Sequence, residues 1–198
     1  MLLYNLRAFL FINILAEQLK KFNINRILSA STIIDNEGLE EKCFIRSLII
    51  KNLIKTKTTI STAESITGGL IAKYITDVPG SSGILKESFI VYSNDSKINV
   101  LGVDAGLISK YGVVSREVAY DMCVKLKMLT NDDICISTTG NAGPTVCDDK
   151  PVGRVYVGIN YLDDVKVYEC NFEGDRNKIR EDTAEFVFDE ISKFMNFE

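Results

Sequence analysis

The sequence contains no histidine among its 198 residues. That absence excludes a Ser-His-Asp triad, a Cys-His pair, a histidine general base and every metal site built on imidazole ligands. A serine nucleophile in this chain would therefore need a lysine, a tyrosine or a carboxylate as its base. Serine paired with lysine is an established variant, because a desolvated lysine can be neutral enough to accept the serine proton.

Cysteine is sparse and shows no pairing pattern. The five cysteines are scattered, odd in number and without any Cys-x-x-Cys spacing. The sequence therefore predicts neither a disulfide framework nor a zinc site, and it favours a reducing, cytoplasmic location. Cys123 and Cys135 fall in apolar runs and are predicted core residues. Cys147 stands in a polar loop and is a candidate reactive thiol, since reactivity belongs to exposed thiols of lowered pKa.

The chain also lacks an excess of positive charge and a long hydrophobic run. Its 23 basic and 27 acidic side chains give a net charge of −4, so nothing in the charge balance supports a nucleic-acid partner. The apolar stretch at residues 1–15 is interrupted by polar residues and is too short to cross a membrane. The length fits one ordinary domain plus an appendage.

The first 37 residues are predicted to form an N-terminal extension and linker before a domain that covers residues 38–198. Helical periodicity runs from the apolar start to Phe22, and Asn, Ser, Asp and Gly then punctuate residues 23–38. We interpret the helix as amphipathic, docking on its own protein or on a partner subunit of a homo-oligomer. Association with a membrane surface is the alternative, although the polar face carries few cations.

Strand and helix signals alternate along residues 38–198 and predict an α/β fold. Because helices separate most of the strands, we expect a three-layer α/β/α sandwich with a mixed, mostly parallel sheet. A tight turn at residues 161–164 joins two alternating apolar runs and predicts an antiparallel hairpin. Strands are predicted at residues 58–61, 88–92, 134–138, 154–160 and 165–172, and helices at 39–53, 69–76, 95–101, 105–110, 115–129 and 177–194.

One strand-to-helix segment carries residues suited to catalysis. The sequence Thr62-Ala63-Glu64-Ser65-Ile66-Thr67-Gly68-Gly69 follows a short β-type run and precedes a helical pattern. The N–H groups of a first helical turn lack internal partners, and glycine lets a backbone approach a ligand closely. The segment could therefore bind an oxyanion or a phosphate. The alternative is that Ser65 or Thr67 only caps the helix.

Two further loops follow predicted strands and are rich in polar groups or glycines. One reads Tyr92-Ser93-Asn94-Asp95-Ser96-Lys97, and the other reads Thr138-Thr139-Gly140-Asn141-Ala142-Gly143-Pro144. The loops that follow the strands of an α/β sheet build its binding site. Three such loops together predict a convergent pocket and favour an enzyme.

These loops resemble those of the CinA C-terminal domain family, the nicotinamide-nucleotide amidohydrolases also known as competence/damage-inducible proteins. The resemblance covers about residues 39–196 and rests on several independent motifs in the family order. The matching stretches are AESITGG (63–69), TDVPGSS (76–82), YSN (92–94), Lys97, LGV (101–103), YGVVS (111–115), TGNAGP (139–144), KPVG (150–153) and GDR (174–176).

The resemblance implies a metal-independent enzyme, without a cofactor, that deamidates nicotinamide mononucleotide to nicotinate mononucleotide and ammonia. Its expected partner is thus a small nucleotide substrate. Ser65 matches the family nucleophile, and Lys97 and Tyr92 match the basic and phenolic partners, which leaves open which of the two accepts the serine proton. The candidate substrate-binding residues are Thr67, Gly68, Gly69, Asn94, Thr139, Gly140, Gly143 and Arg176.

Each side chain also has a plain structural interpretation. Lys97 could lie on a helix surface, and Tyr92 could pack at a strand end. Glu64 could bias its helix terminus, and Arg176 could form a surface ion pair worth about 0–1 kcal/mol.

The sequence departs from the family pattern in one of the three loops. Asn141 stands where isoleucine is usual, and Pro144 is followed by Thr145-Val146-Cys147 instead of Asp-Gly-Gly. Losing two glycines stiffens this loop. The altered loop favours an alternative function, that of a nucleotide-binding or regulatory family member without turnover.

Overall fold

The structure is a computed structural model that describes residues 37–194. The amphipathic helix and linker predicted before residue 37 lie outside the described residues. Five strands are present in the described part of the chain. They are β1 (Ile60–Glu64), β2 (Leu85–Ile90), β3 (Ile134–Gly140), β4 (Arg154–Tyr161) and β5 (Asp164–Asn171).

The five strands form one mixed sheet in the order β2-β1-β3-β4-β5. Strand β1 pairs in parallel with both β2 and β3, whereas β4 is antiparallel to both of its neighbours. Four of the five strands therefore run in the same direction. The prediction of a mixed sheet with an antiparallel hairpin is confirmed.

Six helices and one short 3-10 turn at Ser81–Gly83 complete the described part of the fold. The sequence signals located all six helices, with ends that differ by at most three residues, and missed the 3-10 turn. The helices are α1 (Glu37–Thr56), α2 (Leu70–Thr76), α3 (Asn94–Asn99), α4 (Ala105–Tyr111), α5 (Arg116–Thr130) and α6 (Arg176–Ser192).

Two hydrophobic cores lie on opposite faces of the sheet. Strand β3 shows the alternation, because Ile134 and Ile136 join the core under α1, α2 and α6, whereas Cys135 joins the core under α5. Helix α5 buries Val118 and Met122 at the i, i+4 spacing expected of an amphipathic helix. The three-layer α/β/α arrangement is therefore confirmed, and Cys135 is a core residue as predicted.

The hairpin between β4 and β5 has the turn that the sequence predicted. Leu162 and Asp163 adopt φ values of 50° and 66°, in the left-handed region. Two consecutive residues of this conformation form the tight turn whose twist matches that of antiparallel strands. The backbone pairing of the two strands begins directly beside the turn, with Tyr161 opposite Asp164.

Two predicted strand positions are shifted in the structure. The first strand begins at Ile60 instead of residue 58, because Thr59 is engaged in hydrogen bonds to the carboxylate of Asp133. The second strand covers Leu85–Ile90 instead of residues 88–92. It ends before Tyr92 because Ser93 already forms the N-cap of α3.

The start of α2 is capped by a carboxylate and not by a hydroxyl. The Glu64 side chain accepts hydrogen bonds from the backbone N–H groups of Gly69 (2.8 Å), Ile71 (3.2 Å) and Ala72 (2.9 Å). Gly69 is the N-cap and offers no side chain to do so. The hypothesis that Ser65 or Thr67 caps this helix is therefore wrong, and Glu64 takes the structural role at the helix terminus.

We expect Glu64→Ala to lower the free energy of unfolding by about 2–3 kcal/mol, because a buried N–H left without an acceptor costs about 1–3 kcal/mol. Urea denaturation followed by circular dichroism measures the change. The matched control is Glu87→Ala on the exposed face of β2, where a surface substitution shifts stability by less than about 0.5 kcal/mol. Equal stability of the two variants would contradict the capping role of Glu64.

Candidate active site

Ser65 begins the loop that leaves the central strand β1. Its backbone N–H donates to the carbonyl of Thr138 on the neighbouring β3 at 3.0 Å, which extends the parallel pairing by one residue. The loop then reverses through Gly68 and Gly69, whose φ values of 59° and 93° favour glycine. Ser65 is only 9% exposed.

Lys97 reaches Ser65 from the loop that follows the adjacent strand β2. Ser93 and Ser96 form a reciprocal capping box that starts α3, and Lys97 follows within its first turn. The Lys97 Nζ donates a hydrogen bond to Ser65 Oγ at 2.9 Å and another to the Val91 carbonyl at 2.9 Å. The surface interpretation of Lys97 is therefore wrong, since this side chain is 1% exposed.

The surroundings of Lys97 favour its neutral form. Burial lowers the pKa of the Lys97 amine from 10.5 to about 8, and the nearby Cys147 thiol opposes this by raising the pKa. No carboxylate in the described part of the chain accepts a hydrogen bond from Nζ. Near neutral pH a useful fraction of the amine is thus deprotonated and can act as a base.

Arg176 and Tyr92 lie together at the mouth of the site. Arg176 Nη1 donates to the Gly143 carbonyl at 2.8 Å, and Nη2 donates to the Tyr92 hydroxyl at 2.5 Å. Tyr92 is 59% exposed, and its hydroxyl is engaged with Arg176 and not with Ser65. Arg176 is thus held by neutral partners in a neighbourhood where an anionic ligand can approach its guanidinium.

A cavity of about 180 Å³ opens beside Ser65 and Lys97. It gathers the ends of all three loops that the sequence predicted to converge, together with the segment before α5 and the start of α6. The lining residues are Ser65, Ile66, Tyr92, Asn94, Lys97, Val113, Val114, Thr139, Gly140, Asn141, Ala142, Thr145, Cys147 and Arg176.

Four of the predicted substrate-binding residues do not line this cavity. The Thr67 hydroxyl is fully buried and pairs with the Thr138 hydroxyl at 2.9 Å. The Gly69 N–H is already bonded to Glu64, and Gly68 packs beside the guanidinium of Arg180. Gly143, the fourth, reaches the site only through its carbonyl bond to Arg176.

Comparison with known proteins identifies the family of this chain. A family model described as the CinA C-terminal domain matches residues 43–195. The chain belongs to the CinA C-terminal domain family. A CinA-like protein of Fusobacterium nucleatum is 50% identical over 131 residues, which cover 66% of this chain and 32% of that protein. A CinA-like protein of Kosmotoga olearia is 42% identical over 161 residues, which cover 81% of this chain and 38% of that protein.

A solved CinA-family structure has the same fold. The crystal structure of the competence/damage inducible protein CihA from Agrobacterium tumefaciens superposes with a TM-score of 0.73 at 30% identity, covering 77% of this chain and 94% of that one. The chain spans between 32% and 38% of the length of the two CinA-like relatives. It corresponds in them to one part of a longer protein.

Two residues of the third loop of this CinA domain are fixed by packing. A side chain at Gly140 would lie 2.8 Å from the carbonyl of Arg154 and 2.9 Å from Ile66, so only glycine fits there. The Thr139 hydroxyl donates to the Val113 carbonyl at 2.8 Å, which joins β3 to the segment before α5. Thr139 therefore lines the cavity with its hydroxyl already engaged.

Sequence reasoning missed several residues of the site. Ile66, Val113, Val114 and Ala142 have no polar side chain that would have marked them, and Thr145 was marked only by the departure from the family pattern. Arg180 was also missed. From the first turns of α6 it donates to the Thr67 carbonyl at 2.9 Å and supports the Ser65 loop from outside. For Asn141 and Cys147 a signal existed, namely the departure from the family pattern.

The described residues contain no group of three or more Cys, Asp or Glu side chains placed to hold a metal ion. No helix among them is long and apolar enough to cross a membrane. The functional groups at the cavity include a buried serine hydroxyl, a lysine amine of lowered pKa and an arginine at the mouth.

We expect Lys97→Met to remove a pH-dependent part of the stability. Burial lowers the pKa of the Lys97 amine from its ordinary value of 10.5 to about 8 in the folded protein. Protonation of Lys97 therefore destabilises the fold most below pH 8, and this destabilisation diminishes as the pH rises towards 10.5. Between pH 7 and 9.5 this group alone should add about 2 kcal/mol to wild-type stability. Urea denaturation of both proteins at the two pH values measures the difference, and parallel pH profiles would contradict the lowered pKa.

Proposed function

We propose that this CinA domain hydrolyses the carboxamide of nicotinamide mononucleotide to nicotinate mononucleotide and ammonia. The observation that carries the proposal is the 2.9 Å contact between Lys97 Nζ and Ser65 Oγ, away from water and with the lysine pKa lowered to about 8. A nucleophile in contact with a base of matched pKa is the arrangement that acyl transfer needs.

The reaction proceeds in two stages. The Ser65 Oγ attacks the carboxamide carbon while the neutral Lys97 amine takes the hydroxyl proton. The lysine then passes that proton to the departing nitrogen, the C–N bond breaks and ammonia leaves an acyl-serine. A water molecule attacks the acyl carbon, gives a proton to Lys97 and releases the carboxylate, and the proton returns to Ser65 Oγ. One amide and one water are consumed for one acid and one ammonia.

The developing oxyanion needs a donor close to Ser65. The two glycines of the loop are poorly suited, because the Gly69 N–H is bonded to Glu64 and Gly68 lies away from the cavity lining. Ile66 follows the nucleophile directly and lines the cavity, and its N–H donates to no acceptor among the described residues. We assign the oxyanion to this N–H, by analogy with the residue after the nucleophile in other serine hydrolases.

The size of the cavity supports a substrate that is only partly enclosed. At about 180 Å³ it is smaller than the roughly 300–1,000 Å³ of pockets that enclose drug-sized ligands. The carboxamide-bearing ring fits inside, and the ribose phosphate then extends to the mouth. Arg176 lies there and can offer its planar fork to a phosphate.

Lys97 is the stronger candidate for the general base. Tyr92 is better placed to contact the substrate at the mouth of the cavity. The Tyr92 hydroxyl is in contact with Arg176, whereas the Lys97 amine is in contact with Ser65. Tyr92 and Asn94 then contact the substrate beyond the ring. The proposed reaction takes place in the cytoplasm, which agrees with five cysteines that are all free thiols.

The alternative is a nucleotide-binding member of the family without turnover. The observation that favours it is the altered loop, which brings Thr145 and Cys147 into the cavity wall. Release of ammonia from nicotinamide mononucleotide, measured by a coupled assay with Ser65→Ala as the blank, separates the two functions. Ammonia release equal to that of Ser65→Ala, together with binding of the mononucleotide, would establish the alternative.

Lys97→Arg tests the role of the lysine. Arginine keeps the positive charge but does not deprotonate in proteins, so we expect kcat to fall nearly as far as in Ser65→Ala while substrate binding persists. For the wild type, kcat/KM should rise about tenfold per pH unit below pH 8 and level off above it, since the neutral amine is the active form. A large residual kcat in Lys97→Arg, together with a nearly inactive Tyr92→Phe, would show that Tyr92 is the general base.

Arg176→Ala tests the phosphate contact. A charge-assisted hydrogen bond is worth about 1.5–3 kcal/mol, so KM for the mononucleotide should rise by about one to two decades with little change in kcat. The matched control is Lys178→Ala, which removes an exposed cation paired with Asp182 on the same helix. Equal KM values for the two variants would show that Arg176 does not contact the substrate phosphate.

A further inference from the structure

The segment that follows Pro144 forms part of the cavity wall. Thr145 and Cys147 both line the cavity, whereas the intervening Val146 does not and is 41% exposed. The family pattern has a glycine where Cys147 stands, so the cysteine adds a side chain to this wall.

The buried Asn141 side chain holds Cys147 in place. Its Oδ1 accepts from the Cys147 N–H at 2.9 Å, and its Nδ2 donates to the Cys147 carbonyl at 3.0 Å and to the Lys150 carbonyl at 2.9 Å. Asn141 is only 3% exposed. One amide side chain therefore fixes both backbone groups of Cys147 from the inside of the loop.

A second set of contacts joins the same segment to the neighbouring wall. The Asp148 carboxylate accepts from the Val114 N–H at 2.8 Å, and Lys150 Nζ donates to the carbonyls of Val114 and Tyr111. Val114 itself lines the cavity. These hydrogen bonds tie the segment that carries Cys147 to the neighbouring wall.

The Cys147 thiol also lies within electrostatic reach of the reacting groups. Its charge acts on the Lys97 amine in the direction that raises the lysine pKa. Among the five cysteines, Cys147 and Cys43 are exposed, whereas Cys123, Cys135 and Cys170 are buried. Burial raises the pKa of Cys123 to about 12 and that of Cys170 to about 11, which makes both unreactive.

We infer that Cys147 is a specificity-determining residue of this site, whose side chain contacts the ring of the bound amide and limits the size of the ring that fits. The inference rests on the proposed function, because it takes the ring of the mononucleotide as the group inside the cavity. The cavity has a volume of about 180 Å³. A ring whose carboxamide carbon lies at Ser65 Oγ therefore leaves little room between itself and the wall that carries Cys147. A cavity of fixed shape discriminates a single added carbon by about 10- to 200-fold.

The first test measures ring selectivity. For Cys147→Gly, the ratio of kcat/KM for a ring-methylated nicotinamide mononucleotide to that for the unmethylated compound should rise at least about tenfold for at least one methyl position. Val146→Gly is the matched control, because it places the same glycine one residue away without opening the cavity, and its ratio should equal that of the wild type. Equal ratios in all three proteins for every methyl position would overturn the inference.

The second test uses the wild-type protein and does not depend on turnover. Iodoacetamide labelling, located by peptide mass spectrometry, should modify Cys43 and Cys147, and saturating nicotinamide mononucleotide should slow labelling of Cys147 alone by tenfold or more. Cys43 is the internal control. Protection without ammonia release would support the wall contact and reject the proposed reaction. Turnover without protection would reject the contact alone, and the absence of both would overturn both statements.

Discussion

The structure depends on keeping one lysine amine out of water beside one serine hydroxyl. Transferring an ammonium into a protein interior is costly unless an opposite charge accompanies it. The fold supplies Lys97 with only a hydroxyl and the Val91 carbonyl as partners, both neutral. The amine is therefore driven towards its neutral form, and in the mechanism that we propose the same burial that costs stability lets Lys97 act as the base for Ser65.

The contact between Lys97 and Ser65 is possible because of the order of the strands in the sheet. Strand β1 lies between β2 and β3 and is parallel to both, so the loops after these three strands emerge at the same edge of the sheet. Ser65, Lys97 and Asn141 each follow a different one of the three strands. Backbone bonding from Ser65 to Thr138 and the capping box around Ser93 then fix the two reacting side chains to within a hydrogen-bond length.

Much of the fold and part of the site could be predicted from the sequence, and the reason is periodicity. Alternation marked β4 and β5, and loops that follow strands marked Ser65 and Lys97. What could not be predicted was which acceptor binds each backbone N–H group. From the sequence alone, the N–H groups at the start of α2 could bind either the Glu64 side chain or an oxyanion. In the structure they bind Glu64, whose side chain is buried beside them.

The loop that departs from the family pattern is held in place by side-chain hydrogen bonds. Glycines permit unusual backbone conformations, and their loss leaves a segment that needs other constraints. Here Asp148 and Asp149 adopt left-handed φ values of 58° and 52°, and the Asn141 amide binds both backbone groups of Cys147. The strain of the two aspartates is balanced by these bonds and by the Asp148 contact to Val114. Cys147 therefore adds a side chain to a wall that these hydrogen bonds hold in place, which is why we infer that it bears on selectivity.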